Sequence, residues 1–142
     1  MEYHFEIFEE EDGGFWAESV ELKGCLSDGK TLTELKSRLE DALNLYLNEP
    51  PGSSQVFPLP DKKLDSEEKY IRIPVKPNIA FALLVRHYRL SRNLTLEQAQ
   101  KTIGLKNRNS YVRLETPGNP TIESISLVKK AFPEINLNDC FY

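Results

Sequence analysis

Hydrophobic and polar positions alternate at the start of the chain. Tyr3, Phe5 and Ile7 fall on one parity and His4, Glu6 and Phe8 on the other. A period of two predicts a strand, with His4 on its exposed surface. Trp16, Val20 and Leu22 share one parity of a second run, with Ala17 on the other, so a second strand is expected there. Glu9-Glu10-Glu11-Asp12-Gly13-Gly14 lies between them. Its glycines can take positive φ and its charges discourage edge pairing, which reads as a hairpin loop. Gly24-Cys25-Leu26-Ser27-Asp28-Gly29 breaks the second strand. Thr31-x-x-Glu34 is a capping box that starts a helix. Leu32, Leu35, Leu39, Ala42, Leu43 and Tyr46 recur at helical spacing and make one apolar stripe, suited to lie across one face of the sheet. The helix stops before Pro50-Pro51-Gly52. Residues 50–68 hold four of the nine prolines and read as loop or extended chain. Ile71, Ile73 and Val75 then alternate in a third strand, which Pro74 confines to a sheet edge or ends early.

The second half reads as helices throughout. The first runs from Ile79 to about Leu90, with His87 on a helix face beside Tyr88. Thr95-x-x-Gln98 is a second capping box, opening a short helix with Leu96, Ala99 and Ile103 inward, and Gly104 stops it. Leu105-Lys106-Asn107 leads to a third helix carrying Tyr111 and Leu114. Pro117-Gly118-Asn119-Pro120 is a break. Thr121 or Asn119 caps a fourth helix with Ile122, Ile125, Val128 and Phe132 on its core face. The fold class expected is α+β: a small N-terminal sheet with one packed helix over residues 1–76, then an all-α domain over 77–142.

Charge sharpens this division. Residues 1–68 hold 17 Asp and Glu against 6 Lys and Arg, a net of −11, and residues 69–142 hold 5 against 12, a net of +7, which together give the −4 of the whole. Such asymmetry suits different partners for the two halves, a basic protein for the first and nucleic acid for the second. No apolar run approaches a membrane span and Met1-Glu2-Tyr3-His4 is no signal peptide, so a cytoplasmic protein is expected. Cys25 and Cys140, far apart, are expected as reduced thiols rather than a disulfide framework or zinc site, with Cys25 in a packed position.

Residues 94–115 carry the strongest functional pattern. A capped helix of about two turns, a glycine turn and a helix with polar leading residues is the helix-turn-helix plan. Ala99 is small enough for close helix approach, and Leu105 and Leu114 anchor the second helix. Lys106, Asn107, Arg108, Asn109 and Ser110 then lead outward, with Arg113 one turn later. Arg pairs bidentately with guanine and Asn with adenine, while Lys106 and Arg113 suit phosphate. The amide of Thr95 or Leu96, at a helix N-terminus, can also hold a phosphate. Between residues 86 and 113 stand seven basic residues (Arg86, Arg89, Arg92, Lys101, Lys106, Arg108, Arg113) and one acidic, Glu97.

This stretch resembles the lambda-repressor-like, Xre-type helix-turn-helix family, although Gly104 to Glu115 is one residue longer than that family's usual spacing. The first half resembles the HicB antitoxin family in the strand Tyr3–Phe8, the Gly13-Gly14 hairpin, Phe15-Trp16-Ala17, Gly24-Cys25 to Gly29, and the capped helix Thr31–Leu47 ending in Leu45-Tyr46-Leu47. The order of the two domains also matches that family. The resemblance implies a partial ribonuclease-H-like N-terminal fold and an antitoxin role. The implied partners are a small basic HicA-like toxin, an RNA-cleaving protein with a double-stranded-RNA-binding-like fold, and operator DNA at the antitoxin's own operon. The assembly implied is a homodimer or higher oligomer. Trp16, Glu18 and Glu21 are the candidate toxin contacts.

No cofactor, metal site or catalytic set is expected. Alternating carboxylates such as Glu6, Glu18 and Glu21 read as the solvated face of a half-buried sheet, and the chain as a non-enzyme. The alternative from a different class is an orphan helix-turn-helix regulator whose N-terminal domain serves dimerisation or ligand sensing.

Overall fold

The alternation at the N-terminus yields β1, Glu2–Glu9, whose Tyr3 and Phe5 are fully buried. A hairpin turns at Gly13 (φ +89°) into β2, Phe15–Ser19, and β3, Leu26–Gly29, follows. In the computed structural model, which describes all 142 residues, these strands and β4, Tyr70–Pro74, form one antiparallel sheet in the order β3-β2-β1-β4. Register pairs Phe5 with Ser19 and Ile71, and Phe8 with Trp16. The class is α+β, with five helices.

Two expectations change here. The Gly24–Gly29 stretch is not only a break: Gly24 (φ +88°) turns the chain and Leu26–Gly29 returns as an edge strand on β2. Four residues with exposed Leu26 and Asp28 carry no alternation strong enough to read. In β2 the inward side is that of Ala17 and not of Trp16. Ala17 and Ser19 are buried, whereas Val20 is exposed and Trp16 lies on the opposite face beside Phe8.

α1, Leu32–Leu47, covers the inner face with Leu35, Leu39, Leu43 and Leu47, each fully or almost fully buried. Burial of one such leucine stabilises by about 1.5–3 kcal/mol, so this stripe is the main source of cohesion. Leu32, assigned to the stripe by spacing, is exposed at the first turn. Thr31 Oγ1 accepts from the Glu34 amide (3.1 Å), while the Glu34 carboxylate reaches one residue further back than a standard box, to the Lys30 amide (3.0 Å). Asn44, also buried, ties the helix to β4 by donating to Pro74 O (3.3 Å). β4 is an edge strand, as Pro74 requires. Gly29 is where helix and sheet come closest. A Cβ there would stand 2.6 Å from the Leu35 nitrogen and 2.9 Å from its Cα, both backbone atoms that cannot swing aside.

α2, Pro77–Ser91, α3, Leu96–Ile103, α4, Arg108–Val112, and α5, Ile122–Ala131, make up the helical part, with 3-10 turns at Arg113–Glu115 and Leu137–Cys140. Ala99, Ile103, Tyr111, Leu114, Val128, Phe132 and Ile135 form its core with the buried face of α2. Thr121 caps α5. Ile122, expected on the core face of α5, is instead 87% exposed, because a first-turn residue lies beyond the reach of the core. The chain forms two compact units: Met1–Leu47 with Phe57–Val75 and Tyr142, and Asn48–Val56 with Lys76–Phe141. The division at residue 76 thus misses one segment, Asn48–Val56, which belongs with the helices. No helix is long and apolar enough to cross a membrane.

Gly29→Ala is expected to lower the unfolding free energy by about 1–3 kcal/mol, because the added methyl overpacks against backbone. Urea titration of the full chain checks this, and an unchanged midpoint would mean that α1 shifts freely on the sheet.

Candidate functional site

In the helical unit, α3 and α4 are joined by a short turn. Thr95 Oγ1 accepts from the Gln98 amide (3.1 Å) and Gln98 Oε1 accepts from the Thr95 amide (2.9 Å), a complete capping box. Gly104 adopts φ +86° and closes α3 through its amide to Gln100 O (3.0 Å). A Cβ at Gly104 would meet nothing within 4 Å, so glycine is needed there for backbone conformation and not for space. Gln100 braces the turn by donating its side-chain amide to Leu105 O (2.9 Å), a contact hidden in the sequence because glutamine fits any exposed helix position.

The seven DNA-contact candidates separate into two groups. Asn107 caps α4: its Oδ1 accepts from the Ser110 amide (2.8 Å) and from Ser110 Oγ (3.0 Å). Thr95, Asn107 and Ser110 are therefore held in caps. Lys106, Arg108, Asn109 and Arg113 are exposed and their side chains are in no ion pair, so these four present the polar surface around α4. An open groove of about 730 Å³ beside it is lined by Lys106, Ser110, Arg113, Asn119, Thr121 and Ser124 among others.

Beneath this surface lies a buried ion cluster. Glu115, fully buried, accepts from Arg89 Nε (2.6 Å) and Arg89 Nη2 (3.0 Å), a bidentate pair, and Arg86 Nε lies 3.4 Å from the same carboxylate. The arginines also donate to carbonyls. Arg86 reaches Glu115 O (3.2 Å) and Pro50 O (3.4 Å); Arg89 reaches Leu94 O (3.0 Å) and Ser53 O (3.4 Å). Burial and the Glu115 charge hold the neighbouring Tyr111 phenol well above its ordinary range. Arg92 is also engaged, in a pair with Glu134 (2.7 Å) while lying over the Phe132 ring. Three of the seven basic residues counted toward nucleic acid are thus structural. The positive surface comes down to Lys101, Lys106, Arg108 and Arg113.

In the sheet unit the face away from α1 is uncovered around an aromatic pair. Phe8 and Trp16 stack with ring centroids 4.5 Å apart, Trp16 being half-buried rather than in the core. Glu6 and Glu18 stand opposite one another in register, Val20 and Leu26 are exposed nearby, and Glu9–Asp12 rims one end. Trp16 and Glu18 therefore share one accessible surface. Glu21 does not join them: its side chain is 6% exposed and is occupied by His4.

His4 itself overturns the expectation of a surface residue, being 1% exposed. Its Nδ1 lies 2.8 Å from Glu21 Oε2 and its Nε2 2.7 Å from Asp65 Oδ1. Burial alone pulls the imidazole pKa down, but hydrogen bonds and charge from Glu21 and Asp65 outweigh it, and the net result is raised above 6.5. His87 is half-buried beside Tyr88, and burial lowers its pKa. Cys25 and Cys140 are both buried free thiols, each pushed up to about 11 mainly by burial.

No protein-family model matches the chain. Antitoxin HicB of Escherichia coli strain K12 is 25% identical to it over 132 residues, spanning 92% of this chain and 93% of that protein. The chain is similar to HicB antitoxins along nearly its whole length. Antitoxin HicB of Escherichia coli O157:H7 aligns with the same identity and coverage.

Glu115→Gln is expected to cost about 3–5 kcal/mol, since it leaves two buried guanidinium charges without a counter-charge. Helical circular dichroism followed through urea unfolding reads this. A loss below about 1 kcal/mol would mean that water reaches the cluster.

Proposed function

We propose that this chain is the antitoxin of a toxin–antitoxin pair, with its sheet unit neutralising a small basic HicA-like, mRNA-cleaving toxin and its helical unit repressing its own operon. The observation that carries this reading is the similarity to antitoxin HicB across 92% of the chain, which takes in both units rather than one. The reading requires no catalytic group of its own. The partner is held by surface, and the repressor acts by occupancy.

The exposed sheet face has the make-up of a protein-binding patch. The Phe8–Trp16 stack offers a rigid apolar anchor, and Glu6, Glu18 and the Glu9–Asp12 loop surround it with negative charge. Aromatic anchors carry most of the energy at such interfaces, and complementary charge speeds and orients encounter with a basic partner. Glu21 is a support for this face rather than a contact.

For DNA we read α3–turn–α4 as a helix-turn-helix, with Arg108 and Asn109 toward base edges and Lys106 and Arg113 toward phosphate. Asn107 is removed from the base-reading set, because its side-chain oxygen is already the α4 cap. Such modules act as dimers whose half-sites lie about 34–36 Å apart. A second copy would pair along α5, where exposed Ile122 stands near Glu123 at one end and Lys130 closes the other, Lys129 being spent on the Pro133 and Ile135 carbonyls. Antiparallel pairing would set these opposite charges against each other.

Two experiments test the reading. In titrations with DNA from upstream of the chain's own reading frame, Arg108→Ala is expected to weaken specific binding by about 1–3 kcal/mol. Lys106→Ala is expected to weaken binding to all sequences and reduce the salt slope by about one. Unchanged affinity for both variants would remove α4 from the interface. For the toxin, the full chain is mixed with the product of an adjacent small basic gene, and RNA cleavage is followed. Trp16→Ala is expected to weaken neutralisation at least tenfold while leaving DNA binding intact, an order of magnitude set by aromatic hot spots. Undiminished neutralisation by both Trp16→Ala and Glu18→Lys would place the toxin elsewhere. Absence of any neutralisation, with DNA binding retained, would favour an orphan regulator.

A further inference from the structure

The segment after α1 does not hang free. Phe57 packs on Tyr46 of α1 with ring centroids 5.5 Å apart, and Pro58 O accepts from the Tyr3 hydroxyl (2.8 Å). The Asp61 amide then donates to Glu21 Oε2 (3.1 Å), and the 3-10 turn Lys62–Ser66 brings Asp65 to His4. The strap thus passes from the helix-covered side of the sheet to the side that carries His4. At its far end the 3-10 turn meets β1 through the contact of Asp65 with His4.

We propose that His4 is a doubly protonated clamp between β1 and the Lys62–Ser66 turn, and that loss of one proton unfastens the turn. The geometry demands both protons. A carboxylate oxygen lies within hydrogen-bond distance of each ring nitrogen, at 2.8 and 2.7 Å, and an ionised carboxylate can only accept. Both nitrogens must therefore donate, which only the imidazolium does. In the neutral ring one nitrogen turns a lone pair toward an oxygen lone pair, and that contact must open.

Which contact opens follows from the surroundings. Glu21 is held by three donors: the His4 amide (3.0 Å), His4 Nδ1 and the Asp61 amide. Its side chain is almost out of water. Asp65 is 46% exposed, and its other charged neighbour is Arg72 of β4 at 4.0 Å. Water can replace His4 at Asp65 but not at Glu21, so the proton stays on Nδ1 and the Asp65 contact gives way. Arg72 is drawn toward Glu2 (3.5 Å), Tyr70 meets the ring edge-on at 6.5 Å, Lys69 lies over the Tyr70 ring, and Glu6 shares the His4 face of β1. Deprotonation leaves one negative charge uncompensated among Glu21, Asp65 and Arg72, which adds to the drive for Asp65 to leave.

The sign follows from the raised His4 pKa. The clamp's contribution is full below the ordinary histidine value of about 6.5 and is lost as pH rises through the higher folded value. Closure therefore belongs to the low-pH side of the folded value and release to the high-pH side. The inference does not depend on the toxin or DNA readings, because neither partner enters it.

Imidazole resonances of the full chain, which has two histidines, are followed by NMR across the pH range, with amide exchange at Leu64 and Glu67, the turn's hydrogen-bonded positions. His4 is expected to titrate above the ordinary value, and protection at Leu64 and Glu67 to fall about tenfold through the same midpoint, beyond the intrinsic pH dependence of exchange. Asp65→Asn, an exposed change that spares the fold, is expected to lower the His4 midpoint and abolish the pH step in protection. His4→Gln is expected to give low protection at every pH. Titration of His4 at or below the ordinary value, or protection that does not follow it, overturns the clamp. A pH step that survives Asp65→Asn also overturns it.

Discussion

A single carboxylate organises the helical unit. Glu115 lies at the end of the short turn after α4, fully out of water, and two arginines of α2 converge on it. An unpaired charge so placed would be too costly to keep, so the segment carrying Glu115 can occupy only the position where the guanidinium groups meet it. That requirement fixes where α4 ends and how far it stands from α2. Arg86 and Arg89 extend the constraint to carbonyls at Pro50, Ser53 and Leu94, so one ion cluster positions a loop, a helix end and the α4 segment together. The polar surface proposed for DNA is outward-facing because its inner side is held in this way.

The sheet unit solves a different problem. Its inner face is sealed by four leucines of α1, with buried Asn44 tying the helix to β4, and its other face stays largely open. On that open face nearly every charge is either in water or, at His4, compensated twice. The aromatic pair Phe8–Trp16 remains as an apolar island among carboxylates. A monomeric domain tolerates such an island when it is small, but its isolation is better suited to contact than to cohesion.

Much of this was legible in residues read singly or in short periods. The β1 alternation, the stripe Leu35–Leu39–Leu43, the Thr95–Gln98 box, the Gly104 stop and the edge position of β4 all depend on local geometry, which sequence carries directly. The open features depend on distance along the chain. Nothing near His4 in sequence announces Asp65, 61 residues away, so a histidine on a strand read as surface. Arg86 and Arg89 counted as DNA-facing charge because their partner follows 29 and 26 residues later. Asn107 has the right chemistry for adenine and also for a cap, and spacing alone could not decide between them. β3 escaped because four residues beside two glycines show no period. The capped turn between α3 and α4 was readable, while the hold of His4 on Glu21 and the role of Asn107 as the α4 cap required coordinates.

The allocation of Asn48–Val56 to the helical unit has a consequence for how the molecule comes apart. The chain leaves the sheet unit after Leu47, returns at Phe57 and leaves again at Lys76. The units are therefore joined by several passes of covalent chain rather than one linker. No single proteolytic nick can separate them, and no truncation from either terminus yields both halves whole. A piece beginning at residue 77 lacks the Pro50 and Ser53 carbonyls that receive Arg86 and Arg89. Recombination of this gene by simple fusion at a domain border would thus be penalised, and the two units would be inherited together or lost together.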